Sequence, residues 1–415
     1  MNFYNRNIKF IDDSGELYPE WEEKHLKELI AVGKAGGTPT ASNKSYYNGE
    51  AATISFLGIS DMTEQGKYLS TTSKNITKEG LDSSSAWLVP AGYLVYAMYA
   101  SVGKVGIAKK PMATSQAMFS MTFIKSADTE YIYYYLEHFR DNGLKLLITT
   151  GTQGNINADT LKSFNIPLPS LAEQQKIAEF FSALDERIAL TADKVKLLKE
   201  QKTGYLQQVF AQEIVFTDDN GDRYADWDQK KLSEVAAVTS GKRLPKGHQF
   251  VPSGTPYITV SDMGGKKVDQ KRFSFISPAT ETILQRYKVT EGDVIISIAG
   301  TLGKVNLIDA SLEQANLTEN CDKIRVNEGI IPEFIYYFLK SPSIQSDIEK
   351  TSTTSSQPKL ALEQLRNFSI SLPSLSEQGK IAEFFSALDE QLELTENKLT
   401  LLKEQKTGYL QGIFG

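Results

Sequence analysis

Residues 169–211 read PSLAEQQKIAEFFSALDERIALTADKVKLLKEQKTGYLQQVFA and residues 373–415 read PSLSEQGKIAEFFSALDEQLELTENKLTLLKEQKTGYLQGIFG, with 31 of 43 positions identical at an offset of 204. Chance does not produce identity at that level, so the fold must offer two equivalent places for one element. Weaker echoes precede each copy. Ile8–Gly15 answers Ile214–Gly221, Tyr18 and Trp21 answer Tyr224 and Trp227, and Ile59-Ser60-Asp61-Met62 answers Val260-Ser261-Asp262-Met263. Gly103-Lys104-Val105 returns as Gly303-Lys304-Val305, and Ile132–Leu136 as Ile335–Leu339. The stretches between these landmarks, such as Gly36–Glu50 against Gly241–Gly254, barely match. A shared frame with divergent loops suits two domains of one architecture that contact different targets.

The repeated segment has the pattern of a seamed helix. Ile177, Phe181, Leu184, Ile188, Thr191, Val195, Leu198, Lys202, Tyr205 and Val209 step alternately by four and three, and the second copy repeats the steps from Ile381 to Ile413. Pro169 and Pro373 precede the helices, Ser170 and Ser374 are placed to cap them, and Glu173 and Glu377 stand where a capping box needs its carboxylate. An apolar stripe left in water costs roughly 25 cal/mol per Å², so the two helices are expected to pair. The chain order of domain, helix, domain, helix makes the pairing antiparallel. The expected fold class is therefore α+β: two domains of mixed sheet and helix joined by two long helices in an antiparallel coiled coil with approximate two-fold symmetry. The expected divisions are residues 1–168, 169–212, 213–372 and 373–415.

Composition closes several alternatives. A hydrophobic content of 40% with 23% charged residues describes a chain that folds. Its longest apolar runs, Gly92–Ala100 and Val294–Ala299, fall short of the roughly 20 residues a membrane helix needs, and Met1–Phe10 lacks the apolar segment of a signal peptide. No membrane passage and a cytoplasmic location are expected. Cys321 is the single cysteine, and His25, His138 and His248 lie far apart, which leaves neither a disulfide nor a zinc-ligand spacing. The net charge of −6 argues at first against nucleic acid. The acidity is local, however: residues 213–224 and 373–415 carry −3 each, residues 20–165 balance to zero and residues 225–370 carry +1. Neutral domains bind DNA through a basic face, with partners supplying further attraction for phosphate.

Several catalytic readings fail on spacing. Ala100–Val105 and Gly300–Val305 hint at a phosphate loop, but the first glycine at the required distance and the Ser or Thr after Lys are missing. Asp218–Asp222 hints at a calcium loop, yet Arg223 stands at the glycine position and Gln229 at the closing glutamate, so a turn is expected. No adenine-methyltransferase tetrapeptide, acidic nuclease cluster or nucleophile elbow occurs in the sequence.

The Leu-Pro-Ser-Leu-x-Glu-Gln-x-Lys-Ile-Ala-Glu-Phe-Phe-Ser-Ala-Leu-Asp-Glu runs from Leu168 and Leu372, the Tyr18–Trp21 and Tyr224–Trp227 entries and the Gly36–Thr40 loop together resemble the specificity subunit of type I restriction–modification systems. The resemblance covers nearly the whole chain. It implies a non-catalytic subunit whose two target-recognition domains each read one half of a bipartite double-stranded DNA target, while the helices set the gap and dock two methyltransferase subunits. It implies no cofactor on this chain, S-adenosylmethionine in the methyltransferase partners, and ATP and Mg in further restriction/translocase subunits. The second domain departs from the pattern, with Gly241-Lys242-Arg243-Leu244-Pro245 in place of the Gly-Gly-Thr-Pro loop.

Reading bases requires polar side chains projected into a groove, and register requires cations on phosphates. In the first domain Lys34, Thr38, Thr40, Asn43, Lys44, Tyr46 and Tyr47 read as one such loop, although an ordinary solvated loop presents the same residues. In the second domain the corresponding candidates are Lys242, Arg243, Lys246, His248 and Gln249. Ser101 with Lys104, and Thr301 with Lys304, follow strand-like runs and are placed to meet phosphate. Gln153 and Asn155, with Gln357 and Lys359, complete the set in a pair of polar stretches. The tyrosine-rich segments Tyr131–Phe139 and Phe334–Leu339 read as core helices rather than stacking platforms. Two other classes of function fit the same loops: a coiled-coil scaffold whose paired domains bind protein or carbohydrate, and an enzyme with an unrecognised active site.

Overall fold

The computed structural model describes residues 7–47, 49–149, 155–265, 267–271, 273–352 and 358–415. The chain forms two compact units, Met1–Leu190 with Leu399–Gly415, and Thr191–Lys398. The repeated segments are helices of 40 residues each, Leu171–Phe210 and Leu375–Phe414. Each unit therefore holds one end of both.

In the first unit a five-stranded sheet runs in the order Ile30–Ala35, Met118–Phe123, Leu94–Ala97, Val105–Ala108, Tyr68–Leu69. A second sheet runs Lys74–Ile76, Ile54–Leu57, Met112–Thr114, Leu88–Val89, and a ribbon pairs Glu22–His25 with Asn165–Leu168. The second unit repeats the plan with fewer strands. Its main sheet is Ala236–Ser240, Cys321–Val326, Val294–Ser297, Val305–Leu307; its second sheet is Ser274–Ile276, Thr255–Ile258, Asn316–Leu317; its ribbon joins Asp228–Lys231 to Ser369–Leu372. Central strands such as Leu94–Ala97 and Val294–Ser297 are buried at every position, as their unbroken apolar runs require.

Behind each main sheet lies the tyrosine-rich helix, Thr129–Thr149 in the first unit and Pro332–Lys340 in the second, where Pro342 stops it one residue after Ser341. Tyr131, Tyr134, Tyr336 and Tyr337 have no exposed surface, which makes these helices core. The seam of the long helices packs onto them. In the first unit Phe181 stacks on Phe414 at 6.2 Å, Phe180 meets Tyr409 at 5.1 Å, and Asp185 pairs with Lys406 at 2.8 Å. One helix ascends in number as the other descends, so the pairing is antiparallel. The second unit gives the same sense through Lys199–Glu396 at 2.7 Å, Lys202 with Asp389, and Tyr205–Phe384 at 5.4 Å.

Each long helix starts where the sequence places it, but its glutamate also serves elsewhere. Ser170 and Ser374 accept the amides of Glu173 and Glu377 at 3.3 Å. The Glu173 carboxylate also receives the indole N–H of Trp21, and Glu377 that of Trp227, each at 3.0 Å. Gln174 and Gln378, buried beside them, hold the carbonyls of Pro169 and Pro373. The Trp entry and the Pro-Ser-Leu-x-Glu-Gln run are thus one joint, made twice. The Asp218 turn is an Asx turn, its carboxylate accepting the amides of Asn220 and Asp222 at 2.8 and 2.9 Å.

Candidate nucleic-acid interface

Three stretches that are distant in sequence meet at one end of the main sheet in the first unit. The entry to strand Met118–Phe123 offers its carbonyls to all of them: Gly36 donates to Met118 at 3.0 Å, Gly37 to Thr114 at 3.0 Å, and Met98 to Ala117 at 2.8 Å. Ile156 then donates to Met98 at 3.1 Å, which brings Asn155 alongside the turn that carries Ser101 and Lys104. The second unit repeats every bond. Gly241 donates to Cys321 at 2.9 Å, Lys242 to Leu317 at 2.8 Å, Ile298 to Asn320 at 2.8 Å, and Leu360 to Ile298 at 2.9 Å. Lys359, bridged to Ala299, thereby stands beside the turn of Thr301 and Lys304.

The close approach explains one glycine in each loop. A Cβ on Gly36 would lie 2.3 Å from the carbonyls of Thr114 and Ser115, and one on Gly241 would lie 2.1 Å from that of Thr318. Gly241-Lys242-Arg243 therefore keeps the backbone frame of the Gly-Gly-Thr-Pro loop despite its different sequence.

Side chains at this face sort into free and engaged groups. Thr38, Thr40 and Lys44 are exposed, as are Asn155, Lys242, Lys246, Thr301 and Lys359. Lys34 is exposed too, but it lies in the edge strand Ile30–Ala35 rather than in a loop. Asn43 caps the short turn Lys44–Tyr46, accepting the Ser45 amide at 3.2 Å and its hydroxyl at 2.7 Å. Tyr47 is not a free loop aromatic, and half-buried Tyr46 is tied down through its main chain. The Tyr46 carbonyl accepts the Thr77 amide, and Tyr47 donates its hydroxyl to the Pro39 carbonyl and packs edge-on against Phe56 at 6.2 Å. The apolar partner Phe56 lies nine residues on, beyond the polar loop, so tertiary packing claims a ring that local context leaves in solvent.

The cationic cluster of the second unit is thinner than its sequence. Arg243 pairs with Glu319 at 3.1 Å, and the His248 ring meets the Thr280 hydroxyl at 2.8 Å. Lys304 donates to the Val260 carbonyl at 3.1 Å, tying its turn to the neighbouring loop. Lys104 is half-buried, and burial pushes its ammonium below the usual lysine range. Gln153 and Gln357 lie outside the described residues. One contributor escaped the sequence reading: exposed Lys74, from the second sheet, joins Thr38, Lys44 and Tyr47 around a cleft of about 520 Å³ floored by Phe56. Nothing local marks Lys74, because the strand pairing that delivers it is set by Ile54 and Ile76.

A duplicated loop platform with differing side chains is what paired readers require, and the family comparison matches both copies. The model of the type I restriction modification DNA specificity domain matches residues 18–200 and again residues 224–404. The chain belongs to that family. Among its relatives, the type I restriction enzyme MjaVIII specificity subunit of Methanocaldococcus jannaschii is 25% identical, covering 98% of this chain and 95% of its own length. The MjaIX specificity subunit of the same organism is 24% identical over 96% and 93%. The crystal structure of a type I restriction–modification S subunit from M. genitalium superposes with a TM-score of 0.59 at 18% identity, covering 99% of each chain, and so shares the fold. Among the described residues of this specificity chain, no three His, Cys, Asp or Glu side chains gather as metal ligands, and no helix is long and apolar enough to cross a membrane.

Proposed function

We propose that this specificity chain reads a bipartite DNA target, each unit recognising one half through its three converging loops, and that it performs no chemistry itself. The observation that carries the reading is the duplicated platform: identical backbone bonds at Gly36 and Gly241, at Met98 and Ile298, and at Ile156 and Leu360, beneath side chains that differ. In the first unit Lys44 and Lys74 are the phosphate contacts and Thr38, Thr40 and Asn155 the base-facing polar groups; in the second, Lys242, Lys246 and Lys359 hold phosphate beside Thr301. Lys34 and Lys104, with Ser101, flank the first face, and Arg243, His248 and Lys304 support the second.

Methyl transfer from S-adenosylmethionine to adenine belongs, on this reading, to two methyltransferase subunits docked on the long helices, and restriction to ATP- and Mg-dependent translocase subunits. The helices expose leucines off their seam for such docking, Leu190 and Leu401 in the first unit and Leu197 and Leu394 in the second. The reading places the complex in the cytoplasm, where the DNA is. Methylome sequencing of cells with and without the gene tests it. A methylated motif of two short half-sites around a fixed unspecified gap is expected, and deletion of four residues within the helix Leu171–Phe210 should change that gap while both half-sites persist. Loss of the gene without loss of any bipartite motif refutes the proposal.

A further inference from the structure

The two units surround their helix pairs with related side chains, and one position carries opposite charge in the two. In the first unit Lys406 reaches two carboxylates, Asp185 at 2.8 Å and Glu137 at 3.0 Å, and Tyr134 donates its hydroxyl to Asp185 at 2.8 Å. In the second unit Lys202 pairs with Asp389, and Tyr337 donates to Asp389 at 2.8 Å. The match of Ile132–Leu136 to Ile335–Leu339 sets Glu137 opposite Lys340. Where the first unit sets a carboxylate beside its seam lysine, the second sets a second ammonium.

The consequence is an unneutralised cation in a cleft of about 500 Å³ along the long helix. The neighbouring charges are taken: Lys199 holds Glu396 at 2.7 Å, Lys202 holds Asp389, and Lys267 sits 3.8 Å from Asp309. Glu393 is exposed on the helix. Half-buried Lys340 finds only the Tyr336 hydroxyl, at 3.1 Å, and the Tyr336 ring, 5.1 Å from its ammonium, among the described residues. Tyr336 accepts that bond but has no exposed surface, so it steadies the ammonium from within the fold and leaves Lys340 as the group a ligand would meet. Burial and the nearby Lys202 push the Lys340 ammonium down to about 8, outweighing the pull of Asp389, which is already paired with Lys202.

A half-buried ammonium that spends one donor on a phenol and keeps the others is a receptor for one carboxylate. We propose that this cleft receives an aspartate or glutamate side chain of the protein subunit that docks on the long helices, bound by Lys340 Nζ. In the first unit Glu137 supplies the equivalent carboxylate from within the chain, so that site needs no outside group. A DNA backbone suits the cleft poorly, since Asp389, Glu393 and Glu396 would face its run of phosphates, whereas one side chain brings one charge. The inference rests on the docking reading above and adds an asymmetry to it: two identical partners meet one satisfied site and one open site.

The test uses the full-length chain with its methyltransferase subunit, native mass spectrometry for stoichiometry, and carbodiimide cross-linking. Wild type should bind two copies; Lys340→Met should keep the first at unchanged affinity and bind the second at least about tenfold more weakly, and Lys340→Arg should restore it. Cross-linking should join Lys340 to an acidic residue of the partner. Equal binding of both copies by Lys340→Met overturns the inference and leaves docking intact, while a wild type that binds no copy overturns both. Protection of Lys340 from acetylation with acetic anhydride by DNA instead of by the partner assigns the cleft to phosphate and also overturns it. Retained thermal stability of Lys340→Met shows that a loss of binding is not a loss of fold.

Discussion

Lys340→Met should make the free chain more stable. The ammonium titrates normally at 10.5 and in the fold at about 8; at about 1.4 kcal/mol per pH unit the difference has a ceiling of roughly 3 kcal/mol. The cleft is open to water, so screening leaves on the order of 1–2 kcal/mol. The sign follows from proton counting. Below about pH 8 both folded and unfolded chains hold the proton, and the folded state bears the full penalty. Between about 8 and 10.5 the unfolded chain still holds the proton that the folded chain has shed, so stability rises with pH, and above 10.5 the penalty is gone. Methionine keeps the length of the side chain and removes the charge, so the variant should unfold later than wild type near pH 7 and lose that advantage near pH 10. Urea unfolding of both proteins across this range, followed by circular dichroism, reads the difference directly, and other titrating groups cancel in it. Parallel curves for the two proteins, or a gap that widens as pH rises, would refute the reasoning. The substitution that stabilises the free chain is also the one that should weaken partner binding, as expected where a group is held strained for its function.

Phe181→Ala and Phe385→Ala, each at a side chain with no exposed surface, should cost roughly 3–5 kcal/mol apiece, read as a fall in the thermal midpoint. Gly241→Ala places a methyl 2.1 Å from the Thr318 carbonyl; it should displace the loop and weaken DNA binding in a fluorescence-anisotropy titration while the circular dichroism spectrum persists. Lys44→Ala with Lys74→Ala should weaken binding evenly across sequences and flatten the salt dependence of log K by roughly 0.9 for each lost phosphate contact. An unchanged slope would remove both lysines from the interface.

The long helices were the most legible part of the molecule, because a seam of alternating four and three steps with a serine at each start permits little else. The core role of Tyr131–Leu136 and Phe334–Leu339 was equally readable from apolar spacing. The joint between Trp21 and Glu173 was hidden by 152 residues of separation, and only its recurrence as Trp227 and Glu377 marks it in retrospect. The recognition face was half legible. Its glycines and lysines stood out, but the groups that gather them are main-chain carbonyls of residues 114–118 and 317–321, which leave no trace in side-chain pattern. The partners of Tyr47, Arg243 and His248 were not legible for one reason: each is polar or amphipathic in its local run and meets a side chain from another strand or turn, Phe56, Glu319 and Thr280.

Duplication also separates what packing demands from what specificity adds. Wherever the two units agree against the drift of their loops, at Gly36 and Gly241, Trp21 and Trp227, or Tyr134 and Tyr337, the shared residue answers a steric or hydrogen-bonding need visible in both. Wherever a conserved setting holds opposite chemistry, packing cannot be the cause. Glu137 and Lys340 occupy one such setting, between the same tyrosine helix and the same lysine of the seam. A carboxylate there closes the charge balance of its unit, and an ammonium opens it. Burial and Lys202 hold Lys340 below its normal titration range, and on the docking proposed above a carboxylate from another chain would offset that cost.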